Sequence, residues 1–197
     1  MELIGDILDA EWAMFQKVKS GTPASCQSNP EAFSKIRGSI FQLWPEQMLE
    51  AYLKEITAAA TGGRNLLTEK YARMDRLIPA VNTNSLIDKI VAVETEWQAE
   101  LRETYPALYW KTCRNTGSSD DGSNFSIYLS CELETYGDEV IELYYAWVSE
   151  AVEQKRNLSI EMLELLVVKG GFGDLGQAEN YFKKQLVDES ALAPARP

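Results

Sequence analysis

The sequence predicts an all-α protein: one domain made of two tandem-duplicated helical units of about four helices each, with a closing C-terminal helix. Three observations carry this reading. No segment of the 197 residues alternates apolar and polar side chains at period two. Apolar residues recur instead every three or four positions, between Asn, Gly and Pro residues that start and stop helices. Residues 33–69, laid on 125–161 without a gap, match in nine of 37 columns, where chance at ordinary composition gives roughly 2.

The expected helices run over 2–19, 30–43, 45–61 and 65–78 in a first unit (1–84), and over 84–104, 125–136, 138–155 and 157–169 in a second (85–173). A closing helix follows at 174–187, and 188–197 reads as a disordered tail. The recurring "RNL" at 64–66 and 156–158 marks one corner in both units. A helix carrying Met48, Leu49, Tyr52, Leu53 and Ile56 runs into Gly62 and Gly63, which can adopt the positive φ that ends it, and Asn65 then caps the next helix. Asn157 stands in the same place in the second copy. The alternative role for Arg64 and Arg156 is to hold an anion at a shared cleft. Upstream, "DAEW" at 9–12 aligns with "ETEW" at 94–97. The stretch 106–124 is too long for a simple link and reads as a lid or a loose insert.

Composition narrows the function. Hydrophobic residues make up 45% without a run long enough to span a membrane, and the first residues carry acids where a secretory signal would carry bases, so a cytoplasmic protein is expected. A net charge of −11 disfavours nucleic acid and anionic membranes as partners. With no histidine, His-based triads and imidazole-ligated metals are excluded. Cys26, Cys113 and Cys131 are read as reduced thiols; a Cys26–Cys113 bridge is the less favoured alternative. Neither a metal site nor a cofactor is expected.

Charges inside apolar helical stripes are the informative departures. Glu11 sits among Ile4, Ile7, Leu8, Met14 and Phe15. Glu94 lies inside the stripe of the second copy, where Glu96, the partner of Glu11 in the "DAEW"/"ETEW" alignment, lies off it. Arg37 replaces the second copy's Leu129, Glu132 replaces the first copy's Ile40, and Lys70 lies among Leu67, Tyr71 and Met74. A buried lone charge costs several kcal/mol, so these five either pair and snorkel or line a polar pocket between the halves. In the pocket reading Arg37 holds an anionic group, and Glu11 or Glu132 is an acid or base with a raised pKa. Removing Arg37 and Glu132 together is then expected to be milder than removing either. Glu69 and Arg73 read as a solvated i, i+4 pair. Cys26, ahead of a helix start, is a candidate nucleophile.

The runs "EWAMFQKV", "ASCQ", "WPEQMLEAYL" and "GRNLLTEKYARM" resemble a bacterial domain-of-unknown-function family, number 4125, over most of the chain, with a weaker second half around "ELETY". The resemblance brings no assigned activity. Some members are joined to a nucleotidyltransferase-like domain, which implies work beside another enzyme; no such domain is present in this sequence. The family-like positions are Glu11, Trp12, Cys26, Gln27, Arg37, Trp44, Tyr52 and Tyr71.

The candidate catalytic residues are therefore Glu11, Glu132 and Cys26, and the candidate substrate-binding residues Arg37, Gln27, Trp12, Trp44, Tyr52, Lys70, Tyr71 and Glu94. The expected function is a metal-free small-molecule enzyme of lyase, isomerase or cyclase type acting on a small polar or anionic molecule. The alternative is a helical binding or adaptor module.

Overall fold

Helix-capping chemistry sets most of the element boundaries. The computed structural model describes residues 2–19, 25–114, 116 and 124–192, without the side chains of 25, 26 and 188–192. It contains α1 (Glu2–Phe15), a 3-10 turn (Ser25–Ser28), α2 (Pro30–Phe41), α3 (Glu46–Thr61), α4 (Leu66–Met74), α5 (Leu86–Thr104), α6 (Pro106–Thr112), α7 (Phe125–Leu133), α8 (Asp138–Glu153), α9 (Leu158–Lys169) and α10 (Leu175–Leu192). No strand occurs among the described residues, and the protein is all-α. Asn29, Asn65, Asn124 and Asn157 each accept the amide N–H three residues on, at Ala32, Thr68, Ile127 and Ile160, and so start α2, α4, α7 and α9.

The repeated corner is the same in both places. Gly63 at φ 76° and Lys155 at φ 55° occupy the left-handed region after α3 and α8. Arg64 N–H reaches back to Ala59 O and Arg156 N–H to Ala151 O, each at 2.8 Å, which closes the last turn. Arg64 then forks onto Glu69, and Arg156 onto Glu161. Asn65 ties the corner to α1 through Met14 O, and Asn157 ties it to α5 through Trp97 O.

These ties correct the alignment of the first helices. Tyr52 OH donates to Glu11 and Tyr144 OH to Glu94, so Glu11 corresponds to Glu94 and Met14 to Trp97. That register differs by two residues from the "DAEW"/"ETEW" pairing. It also matches Ile7 with Ile90, both fully buried. In this register α1 packs on α2, α3 and α4 as α5 packs on α7, α8 and α9. The halves meet through α3 on α8, α2 on α9 and α4 on α7. Exchanging the two sets of labels leaves this packing scheme unchanged. The main core draws on both sets, from Ile7 and Met48 to Ile90, Val148 and Leu158.

Five expected boundaries change by three residues or more; one is that of α7, which ends at Leu133 rather than 136. Helix α1 stops at Phe15 because Gln27 Nε2 donates to Phe15 O and Val18 O, capping its frayed last turn. Helix α4 ends at Met74 rather than 78. The first part of the 106–124 stretch is not a loose insert but helix α6, with Leu108 and Tyr109 fully buried against Leu101, Leu163, Leu175 and Ala178. Burying two such side chains yields about 1.5–3 kcal/mol each, enough to order a short helix. The buried Glu179 carboxylate accepts the Ala107 and Leu108 N–H groups at its start. Of the remainder, 115 and 117–123 lie outside the described residues. Helix α10 continues to Leu192, so the tail expected at 188–197 is helical in its first part; 193–197 lie outside the described residues.

Candidate functional site

Between the two sets of helices lies a cavity of about 500 Å³. Eight of the eleven candidate residues line it: Glu11, Arg37, Trp44, Tyr52, Lys70, Tyr71, Glu94 and Glu132. Trp12 does not. It packs on Phe15 and Phe33 in a small separate core. Gln27 is the α1 cap described above, away from the cavity. The Cys26 side chain lies outside the described residues. Cys113, at the end of α6, lines the cavity as a free thiol, and Cys131 is buried and free, so no Cys26–Cys113 bridge forms.

Four of the charges in apolar stripes close into one network. Arg37 from α2 grips the Glu11 carboxylate of α1 through Nε and Nη2 and reaches Glu132 Oε1 of α7 through Nη1 at 2.7 Å. The other Glu132 oxygen binds the Lys70 ammonium of α4. Tyr52 OH donates to Glu11 at 2.7 Å and Tyr136 OH to Glu132 at 2.9 Å. The aromatic faces of Phe41 under Arg37 (4.9 Å) and of Tyr128 under Lys70 (3.5 Å) complete the desolvated shell. Two acids and two bases balance, which is the condition for burying them at all.

This balance corrects two expected roles. Arg37 has all three guanidinium nitrogens on carboxylates, so it does not stand open for an anionic ligand. Glu132 is not a raised-pKa acid. Burial alone would push its carboxyl up, but Arg37 and Lys70 together outweigh burial and hold it well below the usual carboxylate range. The same pairing keeps Lys70 above its ordinary value despite burial. The expected pairing of Glu69 with Arg73 is also replaced: Glu69 takes Arg64, and Arg73 crosses to Glu134 at 2.6 Å.

Glu94 is the fifth charge in the stripes, and it has no such partner. Tyr144 OH donates to it at 2.5 Å, and no basic side chain lies within ion-pair distance of it among the described residues. Where Glu11 meets Arg37 on α2, the aligned position on α7 is Leu129, which lines the cavity. Burial therefore pushes the Glu94 carboxyl up to about 7, with Tyr144 restraining the rise and the Glu132 charge adding to it. One turn further along α5, Gln98 Nε2 donates to Ser159 Oγ at 3.0 Å, while its Oε1 is buried without a hydrogen-bond partner. Trp44 Nε1 is likewise buried without one. Both residues line the cavity, and such groups are rare enough in folded proteins to call for an explanation.

Residues 1–180 match the family described as Protein of unknown function (DUF4125). The chain belongs to the DUF4125 family. No curated protein and no solved structure matches it. In this DUF4125 protein, sequence reasoning missed Tyr144, Tyr136 and Gln98. Tyr144 carried a signal, as the identical column partner of Tyr52. Gln98 carried a weaker one, standing four residues from Glu94 on the same helical face. No helix is long and apolar enough to cross a membrane among the described residues. Nor do three or more metal-ligating side chains converge there.

Proposed function

We propose that the chain is a tandem-duplicated helical unit whose two copies enclose one cavity, and that it is a cytoplasmic enzyme performing proton transfer on a small molecule there. Glu94 is the group that gives and takes the proton, and the reaction class is an isomerisation, elimination or cyclisation that needs one acid–base group. The carrying observation is the contrast between the two equivalent carboxylates. Glu11 is locked by Arg37, whereas Glu94 faces the cavity with Tyr144 alone and is poised near neutrality, where a general acid–base group works best. The locked network acts as the rigid floor that holds α1, α2, α4 and α7 in register around it. The matching corners and the exchangeable packing of the helices support the duplication, and the free thiols Cys113 and Cys131 support a reducing compartment.

The test is a small-molecule thermal-shift screen of the wild type and Glu94→Gln, followed by turnover assays on the hits. A saturating ligand should raise the wild-type Tm by about 5–10 °C and be converted by the wild type only. Hits that stabilise both proteins equally and are converted by neither would make this a binding module.

A further inference from the structure

Ion pairing in the cavity wall leaves one carboxylate over. Three carboxylates line the cavity, Glu11, Glu94 and Glu132, together with four cations, Arg37, Lys70, Lys111 and Arg114. Arg37 and Lys70 are bound to Glu11 and Glu132, and Arg114 lies over the Tyr128 ring at 4.1 Å. Glu94 is the one carboxylate of the three without a cation at ion-pair distance among the described residues, so a positive group beside it would meet an unpaired acceptor.

The hydrogen-bonding groups point the same way. Glu94 and Gln98 are four residues apart on α5, so their side chains stack on one face of the helix. Tyr144 OH donates to Glu94 Oε1, which leaves Oε2 as an acceptor. Ser159 fixes the Gln98 amide through its nitrogen, which leaves Oε1 as an acceptor without a partner on a side chain only 4% exposed. Two acceptors stacked along a helix suit a group rich in N–H donors. Aromatic rings share the cavity wall with them: Trp44 and Trp147 meet the Tyr144 ring at 5.7 and 5.5 Å, each at 77° to it, and all three line the cavity. Aromatic rings in a cavity wall can present electron-rich faces to a desolvated cation. The partnerless Trp44 Nε1 adds one donor, which fits an oxygen elsewhere on the same ligand.

We propose that the cavity takes an organic cation bearing N–H donors, a protonated amine or an amidinium or guanidinium group, with Glu94 as its counter-ion and Gln98 Oε1 as its second acceptor. This rests on Glu94 being the functional carboxylate of the cavity, as proposed above. Binding has a signature that follows from the surroundings of Glu94, which faces Tyr144 from α8 and Glu132 from α7. A cation beside it favours the ionised form, so the complex releases a proton, and affinity rises with pH through the carboxyl's titration. Between pH 6 and pH 8 a group poised at about 7 goes from mostly protonated to mostly ionised, which corresponds to about a tenfold gain in affinity.

The experiment is calorimetric titration of the full chain with benzylammonium, benzamidinium and phenylguanidinium, and with benzoate and benzyl alcohol as anionic and neutral counterparts, at pH 6 and pH 8. The wild type should bind at least one of the three cations, about tenfold more tightly at pH 8, and prefer it to both counterparts. Glu94→Gln, its fold verified by circular dichroism, should lose at least tenfold in affinity together with the pH dependence. Benzoate or benzyl alcohol binding more tightly than every cation, with the loss in Glu94→Gln retained, would overturn the cationic ligand while leaving the proton-transfer reading standing. Cation binding that is unchanged in Glu94→Gln, or no binding of any probe to the wild type, would overturn both.

Discussion

Arg37 spends its whole guanidinium on carboxylates from two other helices, and this makes it the most consequential residue of the cavity floor. Truncating it strands Glu11, which is 1% exposed, and removes one of the two cations on Glu132. The expected cost of Arg37→Leu is about 3–5 kcal/mol in urea unfolding. The sequence suggested that adding Glu132→Ile would make the loss milder, because each residue replaces an apolar one at the aligned position. The network argues otherwise: the double variant leaves Glu11 and Lys70 buried without the partners they had. It should remain within about 1 kcal/mol of the worse single variant, and a double variant as stable as the wild type would refute this account. Glu94 behaves in the opposite way. Its folded pKa of about 7 lies above the ordinary 4.5, so between those values the folded chain keeps a proton that the unfolded chain has lost. Stability therefore falls as pH rises through that window and is level above it. Glu94→Gln abolishes the slope, so its stability relative to the wild type should improve by about 2 kcal/mol from pH 5 to pH 8, read from urea midpoints. A constant difference across that range would mean that Glu94 is ionised throughout.

At the scale of elements, the corner between α3 and α4 and its counterpart between α8 and α9 differ in one strained position. Gly63 adopts its φ of 76° freely, whereas Lys155 holds φ 55° with a Cβ to accommodate. Lys155→Gly should stabilise the protein by about 0.5–1 kcal/mol, and Gly63→Lys should cost about as much; a Lys155→Gly protein no more stable than the wild type would mean that this backbone is unstrained. These corners were legible in the sequence because capping is local and Asn65 lies within three residues of Gly62 and Gly63, whereas the Arg64–Glu69 fork was not foreseen. The stripe argument worked for the site for a related reason, since a charge in an apolar periodicity is visible on one helix alone. It singled out Glu11, Arg37, Lys70, Glu94 and Glu132, and all five line the cavity. What it could not assign was their pairing. Whether Arg37 faces a ligand or Glu132 depends on residues 95 positions apart being 2.7 Å apart, and nothing local records that distance. Helix α6 was missed because seven residues carry too little periodicity, and its support from Glu179 lies more than 70 residues away.

The whole molecule holds together across the two sets of helices rather than within each. Trp44, from the first set, packs at 6.4 and 5.7 Å on Tyr136 and Tyr144 of the second. The single main core runs through both, and the charge network joins α1, α2 and α4 to α7. A fragment covering 1–84 would therefore keep Arg37 and Lys70 but lose Glu132, and would expose the face of α3 that packs on α8. Together these losses are comparable to the roughly 5–15 kcal/mol by which a domain is stable. The fragment should remain unfolded by circular dichroism, and the intact chain should unfold in one step. Variants retaining only Trp44 or only Trp97, with the other tryptophans changed to Phe, report on the two sets separately. Their fluorescence midpoints in urea should coincide with the far-ultraviolet transition of the same variant. Two separated midpoints would mean that the halves are stable units in their own right, held together by the cavity rather than formed around it.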